Sequence, residues 1–108
     1  MPRYLIQFSA TPEASAAVLK NPTNRAEVIG PMFEALGGKL EHYYFEVGGN
    51  TGYLVVEMPD QEKLGIINAA LFSGGALTSI KSTAIVTSEE IVDIYRKAAD
   101  VVYRPPQE

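Results

Sequence analysis

The sequence predicts an α+β fold of order βαββαβ with one further helix at its end, and three observations carry that prediction. Four segments alternate with period two, at Tyr4–Phe8, Lys39–Val47, Tyr53–Met58 and Leu77–Val86. Helix-start chemistry precedes each of the stretches between and after them, apart from one connection. That connection is Gly48-Gly49-Asn50-Thr51-Gly52, which joins the second and third strands as a hairpin.

In chain order, Tyr4, Ile6 and Phe8 alternate with Leu5, Gln7 and Ser9, which makes the first element a strand. Thr11 before Pro12 starts a helix: the threonine oxygen can accept from free N–H groups, and proline has no N–H to leave unpaired at the first helical position. That helix covers Ala14–Lys20 and is interrupted at Asn21-Pro22, because proline disfavours helical geometry in the residue before it. Asn24 and Glu27 have the spacing of a capping box, and Ala26, Ile29, Phe33 and Leu36 form an apolar stripe. Gly37-Gly38 ends this helix by permitting the left-handed conformation. After the hairpin, Pro59-Asp60 opens a helix with Leu64, Ile67, Ala70 and Leu71 on one side, closing at Ser73-Gly74-Gly75. Leu77–Val86 is rich in β-branched residues, and Thr87 with Glu90 forms a second capping box for a last helix striped by Ile91, Ile94, Tyr95 and Ala98. Tyr103-Arg104-Pro105-Pro106 reads as an extended tail. This order is the ferredoxin-like arrangement, a four-stranded antiparallel sheet with crossover helices on one face, in a single domain over residues 1–108.

The composition excludes several function classes. With 46% apolar and 20% charged residues, the chain sits near globular averages. It has no cysteine, so disulfides and thiolate chemistry are absent. A metal site would rest on the lone His42 plus carboxylates, and neither metal nor bound cofactor is expected. A net charge of −4 without a Lys/Arg run argues against nucleic acid and anionic membrane surfaces as partners. The strand-like start leaves no room for an apolar signal segment, and the apolar run around Leu64–Phe72 is too short to span a bilayer, so a cytoplasmic protein is expected.

Met-Pro-Arg-Tyr-Leu-Ile-Gln-Phe at the start, Asn21-Pro22 with Arg25, Ala35-Leu36-Gly37-Gly38-Lys39-Leu40-Glu41, Glu57-Met58-Pro59-Asp60 and the Tyr103-Arg104-Pro105-Pro106 tail together resemble the GYD-domain family. The resemblance covers nearly the whole chain. It implies a short bacterial protein whose ferredoxin-like fold dimerises into an α+β barrel, and it carries no settled biochemical role. Of the signature around the hairpin turn, Gly48 and Gly52-Tyr53 match, whereas Asn50 and Thr51 stand where tyrosine and aspartate are expected. Thr51 cannot supply a carboxylate, and Asn, Gly and Thr satisfy a hairpin loop on backbone grounds alone.

The more apolar strand face, expected to meet the helices, holds Tyr4, Ile6, Phe8, Tyr43, Phe45, Val47, Leu54, Val56, Met58, Ile80, Ala84 and Val86. The open face then mixes Leu5, Tyr44, Tyr53, Val55 and Ile85 with Gln7, His42, Glu46, Glu57 and Lys81. Burying each large side chain contributes roughly 1.5–3 kcal/mol, so a second copy packed sheet to sheet is the economical cover, and a homodimer is expected. The enclosed space would be lined by Gln7, Tyr44, Tyr53 and Lys81 as ligand-binding groups beside His42, Glu46 and Glu57. Three function classes follow from that face: binding of a small organic molecule; cofactor-free acid/base or oxygenase chemistry with His42 oriented by Glu57 or Glu46; and a non-catalytic regulatory or assembly module.

Overall fold

In the computed structural model, which describes residues 1–107, four strands form one antiparallel sheet of order β2-β3-β1-β4. The strands are β1 (Arg3–Ala10), β2 (Lys39–Phe45), β3 (Thr51–Glu57) and β4 (Leu77–Ile85). Between β1 and β2 run α1 (Pro12–Lys20) and α2 (Arg25–Ala35), between β3 and β4 runs α3 (Gln61–Ser73), and α4 (Ser88–Ala99) follows β4. The ferredoxin-like α+β arrangement is therefore present, as an open sheet rather than a closed barrel.

Helix boundaries follow the local chemistry. Thr11 Oγ1 accepts from the Ala14 N–H at 3.1 Å, and Asp60 Oδ1 accepts from the Lys63 N–H at 2.8 Å. At Asn24 the side chain accepts from the Ala26 N–H at 3.1 Å, a simple cap in place of the reciprocal pair with Glu27. Gly37 and Gly75 adopt φ of 81° and 76°, where a side chain would be strained, and so close α2 and α3.

Register decides which residues share a face. Tyr4 pairs with Val56 and Ala84, Ile6 with Leu54 and Ser82, Phe8 with Gly52 and Ile80. These point toward α2 and α3, whose Ile29, Phe33, Leu64 and Ile67 complete the core. Phe33, Ile6, Leu54, Met58, Ile67 and Val56 are almost wholly withdrawn from water, each contributing about 1.5–3 kcal/mol. Asn68, which breaks the apolar run of α3, donates from Nδ2 to Ser82 Oγ at 2.6 Å across the helix–sheet interface.

Two residues assigned to the helix side lie beyond the strand ends, and a third, Ala84, keeps the assigned face without being covered. Val47 falls beyond the end of β2 and is fully exposed, because the Glu46 N–H donates to the Thr51 carbonyl at 2.9 Å and turns the chain there. Val86 follows β4, and Ala84 on the edge strand is exposed. A bulge between Leu40 and His42 lets Leu40 and Tyr43 pack on the helix side while Glu41 reaches Arg3.

The helices are unequal partners of the sheet. α2 and α3 each bury two side chains, whereas no residue of α1 or α4 is buried. α4 leaves its apolar stripe largely uncovered, with Ile94 and Tyr95 47% and 66% exposed. The radius of gyration, 17.4 Å, accordingly exceeds the ~13 Å of a compact chain this long.

Candidate functional site

Two places concentrate chemistry. The first is the open sheet face. Register sets Tyr44, Tyr53, Gln7 and Lys81 side by side in one row across all four strands. The next row holds His42, Val55, Leu5 and Thr83, and the one beyond it Glu57, Arg3 and Ile85. Six of the seven candidate residues read from the sequence thus occupy these rows, and Glu46, just past the end of β2, joins them through Tyr53. Their pairings differ from the acid/base arrangement expected of them. The Tyr53 hydroxyl donates to Glu46 Oε2 at 2.7 Å, and this bond is the main reason its pKa is raised. Glu57 meets Arg3 at 3.5 Å, and the His42 ring stacks on Tyr44 at 5.9 Å between centroids. Among the described residues, no carboxylate lies within 4.0 Å of His42.

Sequence reasoning missed the hub of this face. Arg3 Nε donates to Glu41 Oε1 at 2.9 Å, and its guanidinium also approaches Glu57 and, at 3.7 Å, Glu90 of α4. The hydrogen bond to Glu41 is the largest influence raising the Arg3 pKa. Arg3 was hidden because Glu41 reaches it only through the bulge, and because Glu90 lies far along the chain.

The second place lies on the helix side. A half-open cavity of about 780 Å³ lies between α1 and the sheet. Its floor is Ile6, Phe8 and Leu54; its roof is Ala14, Ala17 and Val18 of α1. The hairpin loop closes one end. Asn50 bonds the end of β1 in both directions, its carbonyl accepting from the Ala10 N–H at 2.9 Å and its Nδ2 donating to the Ala10 carbonyl at 3.1 Å. Asn50 at the turn thus anchors a cavity wall, a role that needs an amide rather than the expected tyrosine. Thr51 makes a 3.3 Å contact with Ser9 through the two hydroxyls and continues that clamp. Across the loop Phe45, Tyr43 and Phe8 form an aromatic cluster, with the Tyr43 and Phe45 rings stacked at 4.7 Å.

The polar groups of this wall are few. Arg25, the first residue of α2, and Glu46 are the only charged side chains lining it among the described residues. Burial pushes the Tyr43 phenol up to about 12, an effect the nearby Arg25 guanidinium partly opposes. Tyr43 is therefore a neutral hydroxyl throughout the physiological range. Alternation alone places Tyr43 on the helix side, but that α1 stands clear of it has no sequence signal.

A family model describing the GYD domain matches residues 4–95. The chain belongs to the GYD domain family. A search of curated proteins finds no match. The matched span runs from β1 into α4, so it takes in the sheet apart from Arg3, the cavity and most of the exposed helix. Among the described residues, no group of three or more metal-ligating side chains comes together, and no helix is long and apolar enough to cross a membrane.

Proposed function

We propose that this GYD domain binds a small organic molecule in the cavity beneath α1. The observation carrying the reading is the cavity itself, about 780 Å³ and walled chiefly by aliphatic and aromatic side chains with a few polar groups among them. Ligand sites of this kind typically span ~300–1,000 Å³. α1 is the natural gate, since it buries none of its own residues and so has little packing to lose when it moves. The test is titration with the neutral fluorophore N-phenyl-1-naphthylamine. Saturable binding at one site per chain, lost in Ala14→Phe with the circular dichroism unchanged, is the expected result. Absence of saturable binding, or undiminished binding in Ala14→Phe, overturns it.

A homodimer through the open sheet face accompanies this reading. Supporting it are the half-buried Leu5, Val55 and Ile85, the exposed Tyr44, and the unpartnered stripe of α4, all of which a second copy can cover. Sedimentation equilibrium reads the outcome directly: a monomer at micromolar concentration removes the dimer and leaves the cavity reading standing.

A further inference from the structure

The cavity wall is asymmetric in charge. Most of it is aliphatic or aromatic, yet Arg25 stands in it, half-buried, with no carboxylate within 4.0 Å among the described residues. The contrast with Arg3, which gathers three carboxylates on the other face, is direct. The one acid of the wall, Glu46, has an oxygen committed to the Tyr53 hydroxyl at 2.7 Å. Tyr43 lines the same cavity as Arg25, whose charge is felt at its phenol, and the Tyr43 hydroxyl makes no hydrogen bond to another described residue.

We infer that the cavity takes an amphiphilic anion, an apolar chain or ring ending in a carboxylate or similar oxyanion, with Arg25 and the Tyr43 hydroxyl receiving the anionic end. This rests on the cavity being a binding site and specifies what enters it. A wholly apolar occupant would strip water from a guanidinium and give it nothing in exchange, which is costly. An oxyanion restores the charge balance, and the planar guanidinium can meet two of its oxygens at once. The phenol adds a neutral donor whose proton is retained at physiological pH. The aliphatic and aromatic wall then covers the remainder of the molecule.

The experiment compares octanoate with 1-octanol, which share a chain and differ in the head, as competitors of N-phenyl-1-naphthylamine in the full chain. Arg25→Gln is expected to weaken octanoate about tenfold or more, the scale of a lost charge-assisted hydrogen bond, while leaving octanol and the neutral probe unchanged. Arg25→Lys should recover part of the octanoate affinity, and Tyr43→Phe should lower it by a smaller factor without affecting octanol. Equal responses of octanoate and octanol to Arg25→Gln, in protein whose circular dichroism is unchanged, overturn the head-group assignment and leave the cavity as a site for neutral molecules. Failure of the wild-type protein to bind the neutral probe and octanoate alike overturns the binding reading itself, and this assignment with it.

Discussion

Gly52 tests the aromatic wall of the cavity most sharply. It sits in β3 opposite Phe8, and a Cβ there would run into the Phe8 ring tip, with Cε1 at 2.6 Å and Cζ closer still. Phe8 cannot swing away freely, being 8% exposed and packed edge-on against Tyr43 and Phe45. Gly52→Ala should therefore overpack the site at a cost of about 1–3 kcal/mol, offset by the ~0.5–1 kcal/mol that replacing a strand glycine returns. A net loss of roughly 1–2 kcal/mol is expected. Phe8→Leu alone should cost ~1–2 kcal/mol by removing buried ring atoms. In the double variant the leucine leaves the space the new methyl needs, so the two losses should fall short of additive by about 1 kcal/mol. Urea midpoints at constant slope measure all four proteins. Additivity within ~0.5 kcal/mol would refute the argument, because it would mean the ring and position 52 do not compete for space.

Four further outcomes follow from particular positions. Thr87 Oγ1 accepts from the Glu90 N–H at 3.1 Å while Glu90 Oε1 accepts from the Thr87 N–H at 3.0 Å, so Thr87→Ala should remove about 1 kcal/mol from α4; since α4 buries nothing, amide exchange in that helix should report the loss more strongly than the global midpoint. Those bonds hold the Glu90 pKa below the usual carboxylate range, so their contribution is present above the unfolded-state pKa and fades as pH falls through the folded one; acid melting of α4 should move to higher pH in Thr87→Ala. Tyr43, pushed up to about 12 by burial, favours folding fully below the unfolded-state value near 10 and less as pH rises toward 12; Tyr43→Phe should remove the highest-pH step from the phenolate absorbance titration. Gly65, exposed in the middle of α3 with nothing within 4 Å of a built Cβ, should yield about 0.5–1 kcal/mol of added stability as Gly65→Ala by thermal unfolding.

Local chemistry made much of this molecule legible from the sequence. Period-two alternation separates Tyr4, Ile6 and Phe8 from Leu5 and Gln7, because successive strand residues face opposite ways whatever the surroundings. The caps at Thr11, Asp60 and Thr87 depend on residues within three positions of one another, and all three form. Six of the seven open-face candidates, Gln7, His42, Tyr44, Tyr53, Glu57 and Lys81, share a face for the same reason, whereas Glu46 follows the end of β2, where alternation no longer applies, and also lines the helix-side cavity.

What only the tertiary structure decided depends on distances between segments remote in sequence. Arg3 meets Glu41, Glu57 and Glu90 because a bulge, a strand pairing and a helix start converge on it, and no pattern along the chain encodes that convergence. His42 stacks on Tyr44 while Glu46 and Glu57 take other partners, since partner choice on a crowded face depends on side-chain reach as well as on register. The cavity is the clearest instance. A hydrophobic stripe shows which side of a helix avoids water, but the depth to which it docks depends on the volumes of all the side chains beneath it. α2 and α3 settle onto the core through Ile29, Phe33, Leu64 and Ile67, whereas α1 buries none of its residues and faces Phe8 and Ile6 across open space with Ala14, Ser15, Ala17, Val18 and Leu19.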